Sequence, residues 1–396
     1  MKHRIVVLGA GYAGASSAGR LARKLHRDDA EITVINADND FVERVRMHQL
    51  ATGQQLAHKP LRDVFAGTAI TTRTARVTAV DVDHKIISID DDHGENQINY
   101  DTVVYALGSA AAGNDVPGAA EHAFQVASKQ AALRLRDRLD DLQPGAEVLV
   151  VGGGLTAIEA ATEIADSRPE VRVTIAARHG VGDWLSERGR KHLYEVFDRL
   201  KITVREQTGV ARVDGTGVGT DEGGRIEADV TVWAAGFVTH PIAAATNLEV
   251  AGNGQIVVDK SMRSVSHPDV YAVGDAGLAE GARGKPLRMS CASGMPMGWV
   301  AADAIVARLT GREPRPSTIP YFLQCISLGR HDGLVQFVTA DDQARSAVIT
   351  GRSAARIKEL ICSGAGWGVA HPTMLLPTRR HHTVTSGGRS VPAESR

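Results

Sequence analysis

The sequence predicts an α/β fold, with two three-layer parallel-sheet domains and a small α+β C-terminal region. Three observations predict it. A buried-strand run, a glycine-rich turn and a helical pattern occur in that order at the N-terminus and again from Glu147. Each copy leads to a second strand and, further on, to another apolar run ending in small residues. A third run of that kind, Val270 to Asp275, lies beyond both copies.

The first unit opens with Ile5 to Leu8, apolar without alternation, as a parallel strand buried on both faces requires. Gly9, Ala10, Gly11, Tyr12, Ala13 and Gly14 form the turn, Ala15 to Leu25 the helix, and Glu31 to Asn36 the next strand. In a Rossmann-like turn Gly9 permits the bend, Gly11 lets a diphosphate reach the backbone, and Gly14 brings helix and strand close. The helix N-terminus supplies amide donors and the positive end of its dipole. The acidic ribose partner expected at the end of the second strand is missing. Asn36 stands there, followed by Ala37 and by Asp38, which either takes the ribose or faces solvent.

The second unit repeats the plan: strand Glu147 to Val151, turn Gly152 to Ala157 including Gly154, Leu155 and Thr156, helix Ile158 to Ala165, and strand Val171 to Ala176. This strand ends on Ala177 and Arg178 instead of a carboxylate. Arg178 is either a partner for a 2′-phosphate, which slightly favours NADPH over NADH, or a solvated loop charge. Glu159, seven residues after Gly152, is either a dipole-favoured carboxylate or a group steering the nicotinamide.

The matched later runs are Thr102 to Gly108 and Val230 to Gly236. Hairpin-like β stretches are expected over Thr71 to Asp90 with Gln97 to Tyr100, and over Ile202 to Val213 with Arg225 to Ala228. Met297 to Leu309 reads as a helix, followed by a Pro-rich linker, Arg312 to Pro320. The boundaries that follow are 1–112 with 242–316 for a discontinuous first domain, 113–241 for the second, and 317–377 for a C-terminal cap. The tail 378–396, rich in His, Arg, Ser and Gly, is expected to be disordered.

Composition excludes several classes. A net charge of −1 gives no reason to expect nucleic acid. The three cysteines, Cys291, Cys325 and Cys362, are far apart, without metal-ligand spacing or a C-x-x-C pair, so no metal site and no disulfide scaffold is expected. The chain enters a strand at once, with no room for a signal peptide, and no apolar run approaches the ~18 residues of a membrane span. A cytoplasmic protein is expected.

Taken together, these motifs resemble the two-dinucleotide-binding superfamily of pyridine-nucleotide oxidoreductases over residues 4 to 310. Within it they are most similar to type II NADH dehydrogenases. GAGYAG from Gly9, FVERVRMHQLATG from Phe41, ALGS from Ala106, GGGLTAIE from Gly152, AAGF from Ala234 and YAVGD from Tyr271 carry the likeness. The resemblance implies an FAD-binding first domain and an NAD(P)H-binding second domain. It implies FAD contacts at Tyr12, Ala13, Ala37, Arg44, Ala106, Gly108, Ser109, Gly274, Asp275, Pro296 and Met297, and contacts beside the nucleotides at Ala235 and Gly236. Glu159 falls where the family keeps a glutamate beside nicotinamide and flavin. Cys291 precedes the helix that points at the flavin, and is either a low-pKa thiol or a packing residue.

Two departures qualify the resemblance. No cysteine pair follows the first unit, which disfavours disulfide reduction and sulfide oxidation. Both glutamines of the family's quinone motif are replaced, by Ala292 and Pro296, and Ile357 to Val369 is mildly apolar and interrupted by glycines. The expected activity is hydride transfer from NAD(P)H to FAD and on to a quinone or another small-molecule acceptor, with peripheral membrane contact open. The alternatives are a flavin- and nucleotide-responsive binding or assembly protein with little turnover, and a biosynthetic flavoenzyme. An electron-feeding reductase lacks the basic patch it would need, and the F-x-G-x-x-x-H linker of two-domain monooxygenases is absent.

Overall fold

The structure is a computed structural model that describes residues 1–112 and 115–384. The expected domain start at 113 and the part of the expected disordered tail from 385 to 396 lie outside the described residues; residues 378–384 of that tail are ordered against the first helix, where His381 forms a bridge with Leu25.

The first sheet is parallel, in the order Val270–Ala272, Thr102–Tyr105, His3–Leu8, Ala30–Asn36, Ile70–Thr74. Its three middle strands end flush, with Leu8 level with both Ile35 and Tyr105. The second sheet has the same build: Thr203–Arg205, Arg172–Ala176, Glu147–Val151, Val230–Trp233, Ala123–Phe124. Val151 there lies level with Ala176 and Trp233. Both sheets therefore present a glycine loop at the carboxyl ends of their strands, the edge at which open α/β sheets bind ligands.

Each domain carries a three-stranded antiparallel meander, Arg76–Asp81, Ile86–Asp91, Gly94–Asn99 in the first and Val210–Asp214, Gly217–Thr220, Arg225–Glu227 in the second. The hairpin expectation was too broad at its edges. Thr71 to Thr74 and Thr203 to Arg205 belong to the parallel sheets, because an edge strand and a meander strand have the same β-branched composition. Two short antiparallel strands, Ser109–Ala111 and Phe237–Thr239, pair where the chain leaves the first domain and returns to it.

Helix Tyr12–Lys24 lies against helix Cys291–Leu309 through small residues. A Cβ on Gly298 would sit 2.5 Å from the Ala13 carbonyl oxygen, and Ser17 Oγ donates to the Gly298 carbonyl at 3.1 Å. Arg20 and Lys24 close the far end on Asp303. The second helix starts six residues earlier than the expected Met297, at Cys291, and so carries Pro296 inside it, where the proline cannot donate the backbone bond to the Ala292 carbonyl.

The C-terminal region is α+β as expected: strands Leu323–Ser327, Gly333–Val338 and Ala344–Thr350, then helix Gly351–Ala370. The helix runs unbroken through the glycines that interrupt its apolar stretch; a Cβ on Gly364 would meet nothing within 4 Å, whereas Gly366 and Gly368 face crowded neighbours. A Cβ on Gly366 would lie 2.9 Å from both Glu43 Oε1 and Lys59 Nζ, and one on Gly368 3.0 Å from Met295 Cε. Ile326, Leu328 and Leu334 of this region join the core of the second domain. Each such buried aliphatic side chain is worth roughly 1.5–3 kcal/mol. No helix among the described residues is long and apolar enough to cross a membrane.

Candidate functional site

The two glycine loops are built alike. Gly9 has φ +93°, and a Cβ there would lie 2.4 Å from the Ala106 carbonyl oxygen. Gly152 has φ +137°, and its Cβ would meet the Ala234 oxygen at 2.6 Å. Gly14 is locked by helix packing, its Cβ falling 2.0 Å from the Gly9 carbonyl oxygen. Gly11 and Gly154 differ from all of these: a Cβ on either would meet no protein atom within 4 Å. Both are the N-caps of their helices, without a side-chain cap, so the first-turn amides face open space. An open concave face beside uncapped amides suits a diphosphate. Leu155 and Thr156 open the second helix at half-buried positions.

Around the first loop, Asn36 is a brace. Its Oδ1 accepts from Ala10 N–H at 2.9 Å, and its Nδ2 donates to the Asp38 carbonyl at 2.7 Å. Asp38 is occupied too, accepting from Asp40 N–H at 3.0 Å and from Lys129 Nζ at 3.4 Å, while Ala37 is exposed at the rim. The Tyr12 ring packs edge-on against Phe41 at 5.0 Å, and its hydroxyl is buried with no partner among the described residues. Burial pushes that hydroxyl far above the ordinary tyrosine range.

Further in, Ser109 Oγ donates to Asp275 Oδ2 at 2.6 Å. Arg44 reaches both, Asp275 at 3.3 Å and Ser109 at 3.0 Å, with its guanidinium 5.2 Å above the Phe237 ring. Ala13 abuts Gly274, whose Cβ would be 3.0 Å from Ala13 Cβ, and Gly108 lies under Arg44. Met297 is buried in the same wall, one residue after Pro296. Thus residues 13, 44, 108, 109, 274 and 275 lie together in one cluster. Gly236 adopts φ +88° and accepts through its carbonyl from Ala112 N–H at 3.1 Å; with Ala235 it follows Ala234, whose carbonyl abuts Gly152 of the second loop. Arg178 is two-thirds exposed, with Asp221 at 3.7 Å.

Glu159 sits in a buried polar cluster that links three parts of the chain. Its Oε1 accepts from Ser327 N–H at 3.0 Å and pairs with Lys358 Nζ at 2.9 Å; His48 Nδ1 is 3.8 Å from its Oε2. Lys358 also donates to the Cys325 carbonyl at 3.1 Å. Burial, the largest single influence, lowers Lys358, but the charge and hydrogen bond of Glu159 together with the neighbouring Cys362 and Cys291 outweigh it and hold the ammonium above the usual lysine range. His48 is lowered by burial, against the pull of Glu159, and its Nε2 is buried without a hydrogen bond. Sequence reasoning missed Lys358, His48 and Ser327. The one available signal was a lysine inside the mildly apolar stretch 357–369.

The cysteines surround the same cluster. Burial raises all three thiols, Cys325 and Cys362 to about 11 each, so Cys291 is not the low-pKa thiol that its place before a helix suggested. The protein field there favours the neutral form.

A family profile described as pyridine nucleotide-disulphide oxidoreductase matches residues 3–302. An NADH dehydrogenase-like protein of Mycobacterium tuberculosis is 28% identical over 345 residues, 82% of this chain and 86% of its own length. A type II NADH:quinone oxidoreductase of Staphylococcus haemolyticus is 26% identical over 391 residues, 91% of this chain and 94% of its own. The structure of NDH2 from Plasmodium falciparum in complex with NADH superposes with a TM-score of 0.80 at 15% identity, covering 95% of this chain and 97% of that one.

Proposed function

The chain belongs to the pyridine nucleotide-disulphide oxidoreductase family, and on that footing we propose that it oxidises NAD(P)H with bound FAD and passes the electrons to a quinone. The observation that carries this reading is the pair of equivalent open glycine faces, Gly11 and Gly154, each at the carboxyl edge of its own parallel sheet. Bound flavin would supply the hydride acceptance and electron release that side chains lack. The residues present fit it: uncapped amides for its diphosphate, Asp275 and Ser109 for its hydroxyls, and the wall of Gly274 and Met297. We assign 1–112 with 242–316 to the flavin domain and 113–241 to the nicotinamide domain.

The chain's own part in the chemistry is positioning and charge stabilisation. The second loop aligns the nicotinamide donor. Lys358 keeps its proton at Nζ because Glu159 faces it, so it would serve as a charged hydrogen-bond donor to a developing negative oxygen and not as the source of its proton. Quinone is favoured over a water-soluble acceptor by the names of the relatives and by the exposed apolar side chains Leu360, Ile361, Trp367, Leu375 and Leu376 on and after the last helix. That surface also supports peripheral membrane contact. Arg178, with no carboxylate at the end of its strand, supports use of NADPH as well as NADH, NADPH slightly favoured.

Steady-state oxidation of NADH and NADPH with a short-chain quinone, a dye and oxygen as acceptors tests the proposal. Turnover with quinone well above that with oxygen is expected. Turnover equally slow with every acceptor, together with a nucleotide-dependent change of assembly state, would replace it with the binding-protein reading.

A further inference from the structure

Segments more than 350 residues apart meet at the far end of helix Tyr12–Lys24 from the glycine loop. After the cap the chain returns along that helix. Arg20 Nη1 donates to the Pro372 carbonyl at 3.0 Å, and Pro372 Cγ would lie 2.8 Å from a Cβ on Gly19. Leu25 and His381 then form a parallel bridge, with His381 N–H donating to Lys24 at 2.8 Å and His26 N–H to His381 at 3.0 Å. This fixes the backbone on either side of three side chains. His26, Asp29 and His382 each turn a ligand atom inward, all within 4.8 Å of one another. The two imidazoles stack with centroids 4.1 Å apart, and His382 Nδ1 is 2.8 Å from Asp29 Oδ2. Asp29 is buried and also accepts from Thr383 N–H at 3.0 Å, which orients its carboxylate.

We propose that His26, Asp29 and His382 form a divalent transition-metal site of the zinc class, which clasps the C-terminal segment to the first domain. Two imidazoles and one carboxylate match the ligand preference of zinc, and nitrogen donors disfavour magnesium and calcium. With bonds of about 2.0–2.1 Å in a tetrahedral shell, neighbouring ligand atoms stand about 3.3 Å apart. The 2.8 Å pair would open slightly, and the exposed His382 ring would turn out of its stack on His26 so that both in-plane nitrogen lone pairs converge on the ion. Asp28, whose Oδ2 is 3.4 Å from His26 Nδ1, is placed for the fourth position or for its water. The C-terminus of the helix just before His26 adds negative potential. The neighbouring cations oppose it in part: Lys24 is neutralised on Asp303, while Arg312 and Arg379 act, after burial, to lower His381. The sequence showed no metal spacing because the ligands lie at opposite ends of the chain.

The test uses the full chain, freed of metal with EDTA and titrated with zinc chloride by calorimetry. One equivalent is expected, with His26→Gln and His382→Gln each weakening binding by more than about a hundredfold, beyond what loss of an outer-shell partner does. Trypsin supplies a second readout, since Arg379 and Arg380 lie beside the site. Zinc should slow cleavage there in the wild type and not in His382→Gln. His382 is two-thirds exposed, so melting in EDTA should match the wild type and show that the variant folds. No zinc uptake by the wild type, or one equivalent bound equally well by both variants, would overturn the proposal.

Discussion

Replacing Lys358 by methionine tests the buried cluster most sharply. The substitution keeps the length of the side chain and removes the ammonium that faces Glu159 Oε1 at 2.9 Å. Glu159 is then left with Ser327 N–H at 3.0 Å and a His48 nitrogen at 3.8 Å, the latter too long for a hydrogen bond. Breaking a buried ion pair from one side costs about 3–5 kcal/mol. The side chains are 15% and 6% exposed, so little solvent screening reduces that figure, although protonation of Glu159 would relieve part of it. About 3 kcal/mol is expected at neutral pH, a large share of the roughly 5–15 kcal/mol that holds a domain together. Urea unfolding of the apoprotein measures it, because bound flavin would add its own stabilisation. Removing both charges, with Glu159→Gln and Lys358→Met together, should restore part of the loss and give a coupling of about 2 kcal/mol. Single losses that add to within about 0.5 kcal/mol would refute the pair as an energetic unit.

Three further outcomes are expected. Gly11→Val should fold normally, since its Cβ meets no protein atom, yet lose flavin; Gly14→Ala, with its Cβ 2.0 Å from a carbonyl, should instead lower the melting temperature. Arg178→Ala should lower kcat/KM for NADPH about fivefold, the effect of an exposed charged contact of ~1 kcal/mol, and leave NADH nearly unchanged. Stability should fall in acid partly through His48. Burial lowers its folded pKa below the ordinary 6.5, so the unfolded chain takes up the proton first and the contribution is lost as pH drops through that window. His48→Gln should flatten the stability profile below pH 6.5, seen by urea titration at several pH values; an unchanged slope there would count against a neutral buried imidazole.

Much of the fold was legible because its signals are local. Gly9, Gly14 and Gly152 announce themselves through backbone demands that no other residue meets, and the unalternating runs beside them mark strands covered on both faces. The cluster of Gly108, Ser109, Gly274 and Asp275 was legible for the same reason, since these residues closely follow two of those strands. What stayed hidden depends on distance in the chain. Nothing near Lys358 tells that Glu159 will face it, and a glycine count cannot show that Gly366 and Gly368 serve close packing inside one helix. Asn36 was visible only as a residue standing where an acidic ribose partner was expected, whereas the Ala10 amide it braces was not visible.

Reconstitution with FAD followed by rapid mixing with NADH or NADPH is the most direct measurement. About one flavin per chain should be retained, and its absorbance near roughly 450 nm should bleach within the time of steady turnover. Protein that takes up no FAD, or whose bound flavin stays oxidised with both nucleotides, would contradict the proposed reaction.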